Sequence, residues 1–306
     1  MYRQQELQLE DQTEKETQIS ISLLIKRFKH GIISSKTCPQ PMITNLMNFK
    51  ISNENIRQLR FLLHGPIGAG KSSTINTIKT IFEGYPYTDC LTSSDTDATG
   101  KTFTKKYQKV SFGKFAFYDV MGLEKGQSKG VQSDDIIKAL KGHILDNYEF
   151  KQEYSVCEDN RYYINNPTLN DKIHCLVSVM AADRVTLIDK VVIQKMKKIR
   201  EAASKLGIPQ LVFMTKVDQA CILTQEDLSK IFKSKKIKKK MEACRDRLGI
   251  PENCIFPVMN YHSDNNINEK LNCLMLEAFT QAVYSANNYV KKFSHNEREM
   301  QNDPSS

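Results

Sequence analysis

The chain carries Gly65-Pro66-Ile67-Gly68-Ala69-Gly70-Lys71-Ser72 directly after the apolar run Leu59-Arg60-Phe61-Leu62-Leu63-His64. This G-x-x-x-x-G-K-[ST] spacing is the pattern of a phosphate-binding loop. It constrains the fold because such a loop works only at a junction between a strand and a helix. Glycines let backbone N–H groups converge on an anion, and the helix N-terminus adds a favourable dipole. The backbone of Gly65, Gly68, Ala69, Gly70, Lys71, Ser72 and Ser73 is therefore expected to cradle a nucleoside phosphate. Lys71 is expected to reach the outer phosphates and neutralise charge during catalysis, and the Ser72 hydroxyl to ligate Mg²⁺.

Downstream of this loop, strand-like and helix-like patterns alternate, which predicts an α/β domain with a largely parallel sheet. Strands are expected at 59–64, 107–112, 114–120, 173–180, 210–215 and 254–260, the second and third forming an antiparallel hairpin turned at Phe112-Gly113-Lys114. Helices are expected at 72–82, 134–143, 189–206, 225–248 and 268–289. The fold class this implies is a P-loop NTPase with a GTPase-like, mostly parallel sheet flanked by helices. The domain is expected over 56–290, after an N-terminal extension at 1–55 that is partly disordered and broken at Cys38-Pro39-Gln40-Pro41. An insert at 147–171 is too long for an ordinary loop, and 291–306 reads as a polar, disordered tail.

Two further motifs lie at strand ends. Asp119-Val120-Met121-Gly122 is D-x-x-G, in which the Asp supports Mg²⁺ and the Gly can donate its N–H to the terminal phosphate. Thr215-Lys216-Val217-Asp218 is T-K-x-D. An Asp carboxylate there accepts from the N1–H and exocyclic amine of guanine, a pairing adenine cannot offer, while Lys216 lies along the base plane. Asn260 is expected near the base, with its backbone facing the guanine carbonyl. A switch threonine should meet Mg²⁺ and the γ-phosphate, with Thr104 the first choice and Thr102 the second. The residue after Gly122 is Leu123, where a Gln would orient the attacking water, so slow hydrolysis is expected unless Glu124, Gln127 or a partner substitutes.

Charge and cysteines bound the setting without choosing a ligand. A net charge of +9 favours anionic partners in general. The 8 cysteines are scattered without C-x-x-C, so neither a zinc site nor a disulfide framework is expected. The polar start Met1-Tyr2-Arg3-Gln4 fits neither a signal peptide nor myristoylation, and a cytoplasmic protein is expected. The lysine run from Lys230 to Lys240 could be a nuclear-localisation patch or contact nucleic acid or anionic lipid, but Ile231, Phe232 and Ile237 could form a buried stripe beneath it, which favours a solvated helix face. His174 and Cys175 read as core.

With these residues in view, the chain resembles the interferon-induced protein 44 family. The resemblance rests on Leu63 to Ser73, on Asp119-Val120-Met121-Gly122-Leu123, on Asp134-Asp135-Ile136, on Lys172-Ile173-His174-Cys175 and on Asn260-Tyr261. It implies a GTPase-like domain, GTP and Mg²⁺ as ligands, and cytoplasmic innate antiviral defence. Members often carry a larger N-terminal domain than the extension here, which leaves that domain's role outside the resemblance.

The combined expectation is a guanine-nucleotide-binding domain that hydrolyses GTP slowly, with a homodimer across the nucleotide face as one assembly. The rivals are a GTP-holding module without turnover, an ATP-dependent kinase or ATPase for which T-K-x-D is accidental, and a nucleic-acid or membrane binder built on the lysine run.

Overall fold

The computed structural model describes residues 39–87, 106–126, 131–151, 153–262 and 267–294. Helix α1 (Pro39–Met47) precedes β1 (Leu59–His64), α2 (Lys71–Glu83), β2 (Gln108–Phe112), β3 (Phe115–Asp119) and α3 (Ser133–Leu140). Then follow β4 (Cys175–Ala181), α4 (Lys190–Lys205), β5 (Gln210–Thr215), α5 (Val217–Ala220), α6 (Ile222–Glu226), α7 (Lys235–Leu248), β6 (Ile255–Pro257) and α8 (Glu269–Lys291). The six strands form one sheet in the order β2-β3-β1-β4-β5-β6. Only the β2–β3 hairpin is antiparallel. The architecture is that of a P-loop GTPase, as the strand-helix alternation predicts.

The central strands are buried on both faces, which is why they read as continuous apolar runs rather than alternating ones. Helix α8 packs on the sheet beside α1 and α2, and α3 packs on α4, which in turn meets α7. Right-handed crossovers account for this division: β1 to β3 runs one way along the sheet, while β3 to β4, β5 and β6 runs the other. Phe279 of α8 sits among Phe115, Phe117 and Phe61, with ring centroids 5.1, 5.4 and 5.6 Å away. Truncating so buried a ring costs about 3–5 kcal/mol. The order reverses at β1, whose C-terminal end is therefore a switch point open to a ligand.

Three expectations need correction. The Cys-Pro-Gln-Pro stretch does not break the chain: Pro39 and Pro41 occupy the first turn of α1, where a missing N–H costs nothing. Ile43 and Leu46 of α1 are buried, and Asn53 Nδ2 donates to the Val290 carbonyl at 3.1 Å, tying this segment to α8. The expected helix over 225–248 is interrupted. Asp227 and Ser234 each cap a new start with their side chains, so a 3₁₀ segment (Leu228–Lys233) separates α6 from α7. The strand expected over 254–260 shortens to Ile255–Pro257, because a 3₁₀ turn (Glu252–Cys254) precedes it and Pro257 cannot donate to the ladder.

The insert packs closely. Tyr107 N–H donates to the Tyr148 carbonyl at 2.7 Å and Asn147 N–H to the Tyr107 carbonyl at 2.8 Å. Tyr148, Phe150 and Val156 are buried. His174 is core: its Nδ1 accepts from Arg60 N–H at 3.1 Å and its Nε2 lies 2.9 Å from the Leu169 carbonyl. Burial pushes the neighbouring Cys175 thiol up. Among the described residues, no helix is long and apolar enough to cross a membrane.

Candidate functional site: a phosphate loop beside a guanine motif

The loop between β1 and α2 is shaped by its glycines and braced from two strands. A Cβ on Gly65 would sit 2.1 Å from the Val179 carbonyl oxygen of β4, so no other residue fits. Gly70 has φ 91°, and a Cβ there would come within 2.9 Å of Asn260 Nδ2. Lys71 opens α2 with its side chain buried, the ammonium 3.4 Å from the Gly65 carbonyl and 3.3 Å from that of Pro66. Burial pulls its pKa down and the Asp119 carboxylate opposes that shift. Ser72 donates its hydroxyl to Asp119 Oδ2 at 2.5 Å. The phosphate loop and D-x-x-G therefore meet through these two side chains.

The remaining motif residues lie along the same edge. Thr215, fully buried at the end of β5, donates its hydroxyl to the Ala69 carbonyl at 2.6 Å. Lys216 follows with φ 55°, a left-handed turn that starts α5 at once. Asp218 lies in the first turn of α5, and its Oδ1 is buried with no hydrogen-bond partner among the described residues. The side chain of Asn260 is already engaged: Nδ2 donates to the Gly70 carbonyl at 3.2 Å and Oδ1 accepts from Thr74 at 3.2 Å. The side chain thus ties the segment after β6 to the phosphate loop and α2. Ser73 is half-buried at the start of α2. Thr104, Thr102 and Gln127 lie outside the described residues.

Gly122 and Leu123 rest directly on the phosphate loop. A Cβ on Gly122 would lie 2.5 Å from Ile67 Cγ1 and 2.9 Å from Ile67 Cα. Leu123 is buried, and its N–H donates to the Gly65 carbonyl at 3.1 Å. The position after Gly122, where a Gln would orient water, is thus filled by an apolar side chain.

Sequence reasoning missed three contributors. His64, just before Gly65, is fully buried with Nε2 2.7 Å from Ser178 Oγ. Desolvation first, then Lys71 and Arg200, push its pKa down to about 3, so the ring is neutral. Ile67 occupies an x position of the phosphate-loop pattern, and Gly122 packs against it. Lys195 lies among the lysines of the basic helix α4, yet it donates to the carbonyls of Glu124 at 3.1 Å and Gly126 at 2.7 Å. None of the three has a sequence signal, because each depends on a neighbour distant in the chain. The lysine run agrees with the solvated-face reading: Lys230, Lys233, Lys235, Lys236, Lys238 and Lys239 are exposed, while Ile231 and Ile237 are buried.

A hard cation fits this corner in a specific way. Among the described residues, no group of three or more His, Cys, Asp or Glu could hold a metal. A hydroxyl and a carboxylate 2.5 Å apart do suit Mg²⁺, which keeps waters and takes its other oxygens from substrate phosphates.

Over 254 residues, 82% of this chain, the sequence is 32% identical to interferon-induced protein 44 of Mus musculus, and over 258 residues it is 30% identical to that of Homo sapiens. The chain is a homologue of interferon-induced protein 44. A likeness to human interferon-induced protein 44-like, 27% identical over 266 residues, agrees. The chain spans 60% of the mouse protein and 57% of the human one. No family model matches the chain. Among solved structures, Toc33 from Arabidopsis thaliana in complex with Mg²⁺ and GMPPNP aligns with a TM-score of 0.46 at 15% identity, covering 84% of this chain and 95% of that one. A probable GTP-binding protein engB aligns with a TM-score of 0.40 at 12% identity, covering 75% and 98%. The fold assignment rests on the sheet order and the phosphate loop themselves.

Proposed function

We propose that this domain binds GTP with Mg²⁺ and turns it over slowly, in the cytoplasm and in antiviral defence; the interferon-induced relatives support the link to the interferon response. The observation that carries the reading is the convergence on one sheet edge of Ser72 with Asp119 and of Asp218 with its buried, partnerless Oδ1. An orphaned carboxylate oxygen is costly, and guanine N1–H and N2–H groups would satisfy it. Lys71 and the loop amides would neutralise the phosphates, and Ser72 with Asp119 would hold the metal. When bound, Mg²⁺ would supply positive charge opposite the outer phosphates. Lys216 would flank the base, with the Asn260 backbone at its far side, while Gly122 would face the terminal phosphate. Thr104 stays the proposed switch threonine.

The test is competition of unlabelled GTP, GDP and ATP against fluorescent GTP with Mg²⁺, on the parent protein and on Asp218→Asn. GTP-selective binding weakened in Asp218→Asn is the expected result. Equal competition by ATP would leave a P-loop ATPase.

A second reading, nucleotide holding without turnover, is favoured by the apolar pair Ile67 and Leu123 at the phosphate side. Turnover measured across protein concentrations separates the two, because a catalytic group from a second copy would make the rate per site rise. Leu187, in the loop after β4, and Ile222, at the start of α6, are 79% and 70% exposed and are the apolar residues such a homodimer across the nucleotide face would cover.

A further inference from the structure

We propose that Lys195 is a positioning residue of the nucleotide site: by holding the carbonyls of Glu124 and Gly126, it fixes the 122–126 loop on the phosphate loop and makes the site favour a nucleoside triphosphate over a diphosphate. This rests on the guanine-nucleotide reading above and adds to it the group that sets phosphate discrimination.

Among the described residues, the loop has two main attachments. The inner one is the Leu123 N–H bond to the Gly65 carbonyl at 3.1 Å, with the Gly122 backbone pressed on Ile67. The outer one is the Lys195 ammonium, which donates to the Glu124 carbonyl at 3.1 Å and the Gly126 carbonyl at 2.7 Å. A cation donating to two carbonyls is a strong anchor for a segment with no helix or strand of its own. Burial works against the charged form of Lys195, and the Glu124 carboxylate supports it. The neighbouring contact of Lys125 with Asp189, at 3.8 Å with Lys125 80% exposed, adds little.

Apolar packing does not do the same job. Between this loop, the phosphate loop and the start of α4 lies a cavity of about 580 Å³, lined by Ile67, Leu123, Leu187, Ile188 and Val192. The loop thus bridges open space and has room to shift once its outer anchor is cut. Polar contacts at both ends, beside this cavity, are what would hold the loop to one arrangement, which a ligand can favour only through a group it touches there.

That group is the Gly122 N–H. Among the described residues it makes no hydrogen bond of the loop's own, since the inner contact uses Leu123 instead. A terminal phosphate can accept from it; a diphosphate has no oxygen at that distance. With the loop anchored, the amide is already ordered and its bond to the phosphate is made at little entropic cost. Lys195 itself lies on α4, on the far side of the loop, and acts only through it.

The experiment measures affinity for a fluorescent non-hydrolysable GTP analogue and for fluorescent GDP, both with Mg²⁺, in the parent protein, Lys195→Met and Lys195→Arg. Lys195→Met keeps the apolar stem and removes the donor. The expected result is a roughly tenfold loss for the triphosphate with GDP affinity within about twofold of the parent, the size of one charge-assisted contact. Lys195→Arg, which can still donate to both carbonyls, restores most of the ratio. Equal weakening of both nucleotides, or an unchanged ratio, would overturn the proposal and leave Lys195 a structural clamp. Parent protein that binds neither nucleotide would overturn the guanine reading, and this inference with it.

Discussion

The Thr215 hydroxyl donates to the carbonyl of Ala69 at 2.6 Å, so the strand that carries the guanine motif is bonded directly to the phosphate loop. The first residue of T-K-x-D is thereby a brace, while Asp218, three positions on, keeps a buried oxygen without a partner. The residues proposed for base and phosphate binding are thus joined at the C-terminal end of the sheet. Thr215→Val keeps the shape and removes the donor, leaving the Ala69 carbonyl buried without its bond. It should destabilise the fold by about 1–3 kcal/mol and weaken nucleotide binding, whereas Thr215→Ser should do neither. Urea unfolding of the three proteins decides; equal midpoints for Thr215→Val and the parent would remove the brace.

The Ser72–Asp119 contact gives a prediction about metal dependence. Ser72→Ala deletes a hard-oxygen donor from the corner where Mg²⁺ is proposed to sit. GTP affinity should fall roughly tenfold with Mg²⁺ present and change little in EDTA. A loss of equal size in both conditions would mean the hydroxyl serves the loop's shape rather than a metal.

How much of this was legible in the sequence follows from how local each cause is. The phosphate loop, Asp119 and Asp218 were readable because each motif is continuous and falls at the end of an apolar strand. Strand 59–64 and strand 210–215 match their observed bounds for the same reason. The interruption at Asp227 and Ser234 was harder, since both residues also occur on solvated helix faces and only their caps reveal the break. Asn260 was placed by its position after β6, but its side-chain bonds to Gly70 and Thr74 depend on a helix nearly two hundred residues earlier. The His64–Ser178 pair and the Lys195 clamp are of that kind too, joined only once the sheet has formed.

Gly65 is the position where backbone geometry leaves least freedom. A methyl group there would meet the Val179 carbonyl at 2.1 Å, and that oxygen belongs to a central strand fixed on both sides. Gly65→Ala should cost about 3 kcal/mol of stability through overpacking and displace the amides of the loop. Gly113→Ala, in a hairpin turn with nothing within 4 Å of the added carbon, is the control, and carries only the strain of its φ of 50°. Thermal unfolding should separate the two variants by more than the control differs from the parent.

The buried histidines set the acid response. Desolvation lowers the pKa of His64 from 6.5 to about 3 and that of His174 to about 4. A base whose folded pKa is depressed favours the folded state above its unfolded pKa, and that stability is lost as pH falls, because the unfolded chain takes up the proton first. The window for His64 therefore opens near pH 6.5 and runs to about pH 3, at up to about 1.4 kcal/mol for each pH unit. Asp135, whose carboxyl burial pushes up, works in the opposite sense at lower pH. Comparing the parent with His64→Gln cancels that contribution, since Gln carries no proton at any of these pH values and can still pair with Ser178. Urea unfolding at pH 7.5, 6.0, 5.0 and 4.0 should show the parent losing stability faster than His64→Gln. A difference between the two that does not vary with pH would mean that the His64 ring takes up its proton as readily in the folded protein as in the unfolded chain.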